Sequence, residues 1–126
     1  MKKFSPAAIT ALKEALINIY WKKQDLKNFI NLTIKNTTIL LTINWEANKK
    51  FESVNELIDR MVERKDIYES DLLELILETA NLDDFSHLKQ WEDADLKIKK
   101  ARESVVNLRQ HANGFFKIAQ EKKESE

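Results

Sequence analysis

Apolar residues return every three or four positions through most of the chain, the period of helices that bury one face. The first stripe is Ile9, Leu12, Leu16, Ile19 and Tyr20. Just ahead of it, Ser5 offers an N-cap hydroxyl and Pro6 occupies the first helical position, where a missing N–H costs nothing. Together they predict a helix over about residues 6–21. A second helix opens at Asp25, or in the Lys22–Gln24 stretch before it, and carries Leu26, Phe29, Ile30 and Thr33. Asn36-Thr37-Thr38 interrupts it, because these side chains offer the backbone competing hydrogen bonds. The run Thr38-Ile39-Leu40-Leu41-Thr42-Ile43 is β-branched enough for a strand, yet no second candidate strand exists to pair with it. It reads as a short buried helix.

Asn44 is placed as the cap of a helix over about 45–65 with the stripe Phe51, Val54, Leu57, Ile58, Met61 and Val62. Ser70, or Tyr68-Glu69, begins another at about 69–80, with Leu72, Leu73, Ile76, Leu77 and Ala80 inward. Its first turn holds Glu69, Asp71 and Glu74, suited to the positive end of a helix dipole. Asn81 to Phe85 connects, Ser86 caps, and from about 87 the pattern stays helical nearly to the end. Trp91, Ala94, Ile98, Ala101, Val105, Leu108, Ala112, Phe115 and Ala119 alternate three- and four-residue steps, a seam of roughly four heptads. Alanine at four of these positions favours packing within the chain for the first part and looser association for the end. Gly114, which costs about 1 kcal/mol against alanine inside a helix, marks a place where order can end. The prediction is an all-α, compact bundle of five to six helices ending in a long amphipathic C-terminal helix. It forms a single domain over 1–126, with an ordered core about 5–115 and a frayed tail at 120–126.

Composition removes whole classes. The 126 residues include one Gly, one Pro and no Cys. β-Sandwiches and barrels need turn residues at short intervals, and thiol chemistry, disulfides and cysteine-ligated zinc need cysteine. Phosphate-cradling loops need several glycines. No apolar run approaches the roughly 20 residues that span a bilayer, and Lys13 and Glu14 interrupt the only candidate leader. A cytoplasmic protein without membrane contact is the expectation. Net charge is zero, yet residues 1–50 carry nine lysines against Glu14, Asp25 and Glu46, a balance of +6. Residues 66–95 carry ten acids against Lys89 alone, a balance of −9.

Candidate chemistry is sparse. His87 has Trp91 at i+4 and Gln90 at i+3, so no ligand pair forms along a helix, and His111 reads as a surface neighbour of the seam. Glu92, Asp93 and Asp95 lack the alternating ligands and central glycine of a calcium loop. No catalytic or metal residue is assigned, and no cofactor or small-molecule substrate is expected. Lys22, Lys23 and Lys27 lie among Tyr20, Trp21 and Phe29, and Lys97, Lys99, Lys100 and Arg102 form a second basic cluster. Basic residues interleaved with aromatics can bind nucleic acid, but the −9 segment would repel a polyanion. The competing reading makes Lys22, Lys23 and Lys27 a basic partner-binding face and Glu74, Glu78, Asp83 and Asp84 an acidic one. Trp21, Trp45 and Trp91 either close the ends of the core or serve as aromatic anchors for a partner.

Leu12, Leu16-Ile17, the run Ile19-Tyr20-Trp21-Lys22-Lys23-Gln24-Asp25-Leu26 and Phe29 resemble the opening of small helical modules at the N-termini of large bacterial proteins. These are the effector-associated, death-like domains of bacterial conflict and phage-defence systems. Asn44-Trp45, Leu57-Ile58, Leu72-Leu73, Leu75-Ile76, Lys97-Ile98, Ala101, Val105 and Leu108-Arg109 continue the similarity over about residues 8–110. The resemblance implies a non-enzymatic adaptor that binds a protein partner or a second copy of itself through helix faces, fused to a larger effector or standing alone. A nucleic-acid-binding bundle and a small antitoxin or immunity-type inhibitor are the alternatives.

Overall fold

The structure is a computed structural model that describes residues 4–112. Among the described residues every regular element is helical. In chain order they are α1 (Pro6–Ile19), α2 (Lys23–Thr33), the short 3-10 helix η1 (Thr37–Thr42), α3 (Lys50–Glu63), α4 (Lys65–Ala80), the 3-10 helix η2 (Ser86–Gln90) and α5 (Ala94–His111). The described residues therefore form an all-α bundle whose last helix is long. The ambiguous run at 38–43 is helical, although wound as a 3-10 helix that buries Ile39 and Leu40 and turns Leu41 outward.

Local chemistry explains the element ends. Ser5 Oγ accepts the Ala8 N–H at 3.1 Å with Pro6 at the first position of α1. Glu52 Oε1 reaches back to the Lys49 N–H at 2.8 Å at the start of α3, one half of a capping box. Arg64 alone separates α3 from α4, closing one helix and opening the next while pairing with Asp66.

α4 is the axis of the bundle and touches α1, α2, α3 and α5. Leu72, Leu75, Ile76 and Ala80 enter the core, and Leu73, Leu77 and Thr79 are buried as well. Beyond Asp66, only a narrow line through Ile67, Ser70, Glu78 and Asn81 is exposed, with Glu74 half-buried on it. α1 and α5, the first and last helices described, share the most extensive contact. Leu12 and Leu16 of α1 are wholly buried, each contributing about 1.5–3 kcal/mol of hydrophobic stabilisation. The small residues Ala101 and Ser104 let α5 come close, and Asn18 Nδ2 donates to Ser104 Oγ at 2.7 Å. Ala101, Val105, Leu108 and Ala112 thus face the core of their own chain. The continuation of the seam through Phe115 and Ala119, Gly114 and the tail at 120–126 lie outside the described residues.

Several expectations are corrected. Asn44 does not cap α3: its Oδ1 accepts the Ala47 N–H of a separate turn, and the helix begins at Lys50. Phe51, in the first turn of α3, is consequently exposed rather than core. α4 starts at Lys65, so its first-turn acid is Asp66, and Asp71 lies in the second turn, buried. The last helix begins at Ala94 rather than near 87, because η2 and a turn at Trp91–Asp93 intervene. Ser86 does not cap there; its N–H donates to Asp84 Oδ1 at 3.0 Å.

Candidate partner-binding surfaces

The C-terminal end of α1 is where most of the polar chemistry collects. A helix leaves its last carbonyls without partners of its own, and here side chains from nearby Trp21 and from distant Lys50 and His87 supply them. Lys50 Nζ donates to Ile17 O at 2.8 Å and to Tyr20 O at 3.0 Å. Trp21 Nε1 donates to Asn18 O at 2.8 Å. His87 Nε2 lies 2.7 Å from Ile19 O; a carbonyl only accepts, so that nitrogen carries the proton. The Tyr20 N–H takes Leu16 O. A cation at this position also suits the negative end of the helix dipole.

Around these bonds the aromatic rings are stacked. Tyr20 lies 4.8 Å from Phe29 and 5.5 Å from His87 between centroids. The Lys50 and Lys97 ammonium groups sit 4.4 and 4.3 Å from the centre of the Trp21 ring. Lys97 is also 5.2 Å from the Trp91 ring and pairs with Asp93. Burial, and then the charge of Lys97, lowers the Lys50 ammonium to about 8. Burial, and then Asp25, pushes the Tyr20 phenol up to about 12.

The three tryptophans divide accordingly. Trp45 is 8% exposed and donates its indole N–H to Leu40 O at 3.0 Å. Trp21 and Trp91 are half-buried against the core under Lys97. The three lysines also divide. Lys22 is exposed and donates to Gln90 Oε1 at 3.1 Å, whereas Lys23 donates to Trp45 O at 2.9 Å. Lys23 and Lys27 line a shallow cleft with Gln24, Trp45 and Glu46. Both of these lysine bonds go to neutral oxygens, so neither cancels its lysine's charge, although Asp25 in the first turn of α2 and Glu46 in the cleft offset part of it. The second basic cluster is split, because Lys97 turns inward while Lys100 faces a groove it shares with Glu14 and Glu103.

The four acids do not form one patch. On the outward line of α4, Glu78 is exposed and Glu74 half-buried. Asp84 is held below the usual carboxylate range by the N–H and then the hydroxyl of Ser86. Asp83 lines a cleft with Arg102 and Arg109.

Four features were not anticipated from the sequence. Asp71 is 2% exposed and accepts the Lys35 N–H at 2.9 Å, the Asn36 N–H at 3.3 Å and Asn36 Nδ2 at 2.9 Å. It pins the connector between α2 and η1 onto α4. Lys50 closes α1 from 30 residues or more away, and nothing in a Lys49-Lys50 pair announces that. Arg102 and Arg109 share one face of α5, and their seven-residue spacing is the signal that could have found them. Leu32 and Leu41, on α2 and η1, are 85% and 83% exposed.

Among the described residues no group of three His, Asp or Glu side chains could hold a metal ion, and no helix is long and apolar enough to cross a membrane. No family model, curated protein or solved structure matches the chain.

Proposed function

We propose that the chain is a non-enzymatic protein-interaction domain of the adaptor kind, whose lysine-bearing end of α2 meets an acidic protein surface. A second copy of the chain is one such surface, through Glu74 and Glu78 on α4. The observation that carries this reading is how the reactive side chains are used. His87, Lys50, Asp71 and Asp84 are each bonded to backbone groups that close a helix end or a connector. Groups held in this way position the fold rather than wait for a substrate. The charge that remains, on exposed Lys22 and half-buried Lys27, suits docking. The resemblance to effector-associated domains supports the same role, as a module that brings a larger effector to its partner.

Contacts between opposite charges on different faces join copies head to tail, giving rings or open chains rather than closed pairs. Exposed charge pairs contribute about 0–1 kcal/mol each, so such association is modest and salt-sensitive. Sedimentation at low and high salt tests it with Lys22→Glu and Lys27→Glu together, leaving Lys23 to hold Trp45. Loss of a salt-sensitive assembly, and its return when Glu74→Lys and Glu78→Lys are supplied on a second copy, is the expected result. A chain that stays monomeric at high concentration and low salt would remove the homotypic form of the proposal.

A further inference from the structure

A second surface carries a different specificity. Between α5 and the connector from α4 to η2 lies a cleft of about 230 Å³. That is below the roughly 300 Å³ at which small-molecule pockets begin, and it is open to solvent along α5. Leu82 and Val106 give it an accessible apolar wall, Val106 being 50% exposed and Leu82 half-buried, over a floor of the core residues Phe85 and Val105. Arg102 and Arg109 flank these side chains, one on each side of Val105 and Val106 in sequence.

The two arginines are not equivalent. Arg109 donates its Nε–H to Ala80 O, closing the C-terminal end of α4. That bond fixes the guanidinium and leaves both terminal nitrogens as donors. Arg102 forms no ion pair among the described residues. Guanidinium groups bind carboxylates through two parallel hydrogen bonds, and pre-ordering one of them lowers the entropy lost on binding. Asp83, the one acid in the cleft, sets the polarity: a ligand carboxylate is repelled from its side and drawn to the arginines.

We propose that this cleft docks an acidic peptide segment of a partner protein, one apolar side chain resting on Leu82 and Val106 while an adjacent carboxylate is held by Arg102 and Arg109. Charge complementarity selects the occupant. A neutral apolar segment would desolvate two guanidinium groups without bringing a counter-charge, and a basic one would meet them directly. The site rests on the reading of the chain as an interaction domain but uses a different face from the α2 lysines.

The test uses the full chain and two capped heptapeptides, one with a central leucine flanked by glutamates and one flanked by lysines. Methyl chemical shifts of Val105 and Val106 report occupancy. The acidic peptide should shift both signals, less so as salt is raised, and the basic peptide should not. Arg102→Glu, at an exposed position, should weaken binding about tenfold, the scale of one lost charge-assisted hydrogen bond. Asp83→Asn should strengthen it by a few fold, a gain that mere structural damage does not produce. The Lys22→Glu, Lys27→Glu variant should bind the peptide unchanged, so failure here and failure of the α2 surface are separable. Equal binding of both peptides, or unchanged binding by Arg102→Glu, would overturn the proposal. So would shifts that track the concentration of the chain itself, since a second copy would then be the occupant.

Discussion

Replacing Asp71 by alanine tests how the connector after α2 is held. The carboxylate accepts three N–H groups, two from the backbone of Lys35 and Asn36 and one from the Asn36 amide. A hydrogen bond to a charged group contributes about 1.5–3 kcal/mol. Three such bonds set a nominal loss that two facts reduce. Lys35 and Asn36 are exposed, so water reaches their donors in the variant, and removing the carboxylate also removes the cost of desolvating it. About 3 kcal/mol is the resulting expectation, a large part of the roughly 5–15 kcal/mol that stabilises a domain. At this chain length it corresponds to a fall of about 10 °C in Tm. Urea unfolding monitored by far-ultraviolet circular dichroism measures it, with an unchanged slope showing that the folded state stays compact. Hydrogen exchange should show the Lys35 and Asn36 amides losing protection first. Asp71→Asn should recover only part of the loss, because its amide nitrogen faces donors. A destabilisation below about 1 kcal/mol, or an asparagine variant as stable as the parent, would refute the clamp.

Lys50 and Tyr20 make opposite contributions to the pH dependence of stability. Lys50 binds its proton less tightly when folded, about 8 against the ordinary 10.5, so stability rises with pH between those values. The side chain is half exposed and its shift is discounted for solvent screening, which leaves a gain of about 1 kcal/mol. Tyr20 binds its proton more tightly when folded, about 12 against 10.0, so its contribution is lost as pH rises from 10 towards 12. Urea midpoints across the alkaline range should therefore pass through a maximum near pH 10, and Lys97→Met should flatten the rising limb by raising Lys50. Thr79 Oγ1 and Ser53 Oγ are buried and have no hydrogen-bond partner among the described residues. Thr79→Val, nearly the same shape, should raise stability by about 1 kcal/mol in the same unfolding assay, and a loss of stability would show that the hydroxyl has a partner.

Helices with one apolar face were legible from spacing alone, as α1 and the later part of α5 show. α4 was misjudged at its start for a physical reason. A helix covered on nearly every side has no polar face to set its phase, and its first turn, Lys65 to Tyr68, looks like a loop. The early boundaries of α3 and α5 failed for a related cause. Asn44 and Ser86 are sound capping residues, but each introduces a short turn or 3-10 segment that spacing cannot tell from a helix. The candidate surfaces were partly legible. Charge asymmetry singled out the α2 lysines and the α4 glutamates for the proposed surface, whereas Asp83 and Asp84, neighbours in sequence, serve different neighbours in space. Asp71 and Lys50 were invisible, since their roles depend on residues 30 or more positions away.

The end of α1 bears on the order in which the chain acquires its structure during synthesis. His87 and the Ile19 carbonyl are separated by 68 positions, and a ribosome adding about 5–20 residues per second needs about 3–14 s to cover them. Throughout that interval the nascent helix has its N-terminal cap from Ser5 but no His87 to hold its other end, and for the first part of it no Lys50 either. Its principal packing partner, α5, emerges later still. α1 is thus synthesised well before the elements that complete it, and the face bearing Leu12 and Leu16 is covered in stages as α3, α4 and finally α5 follow.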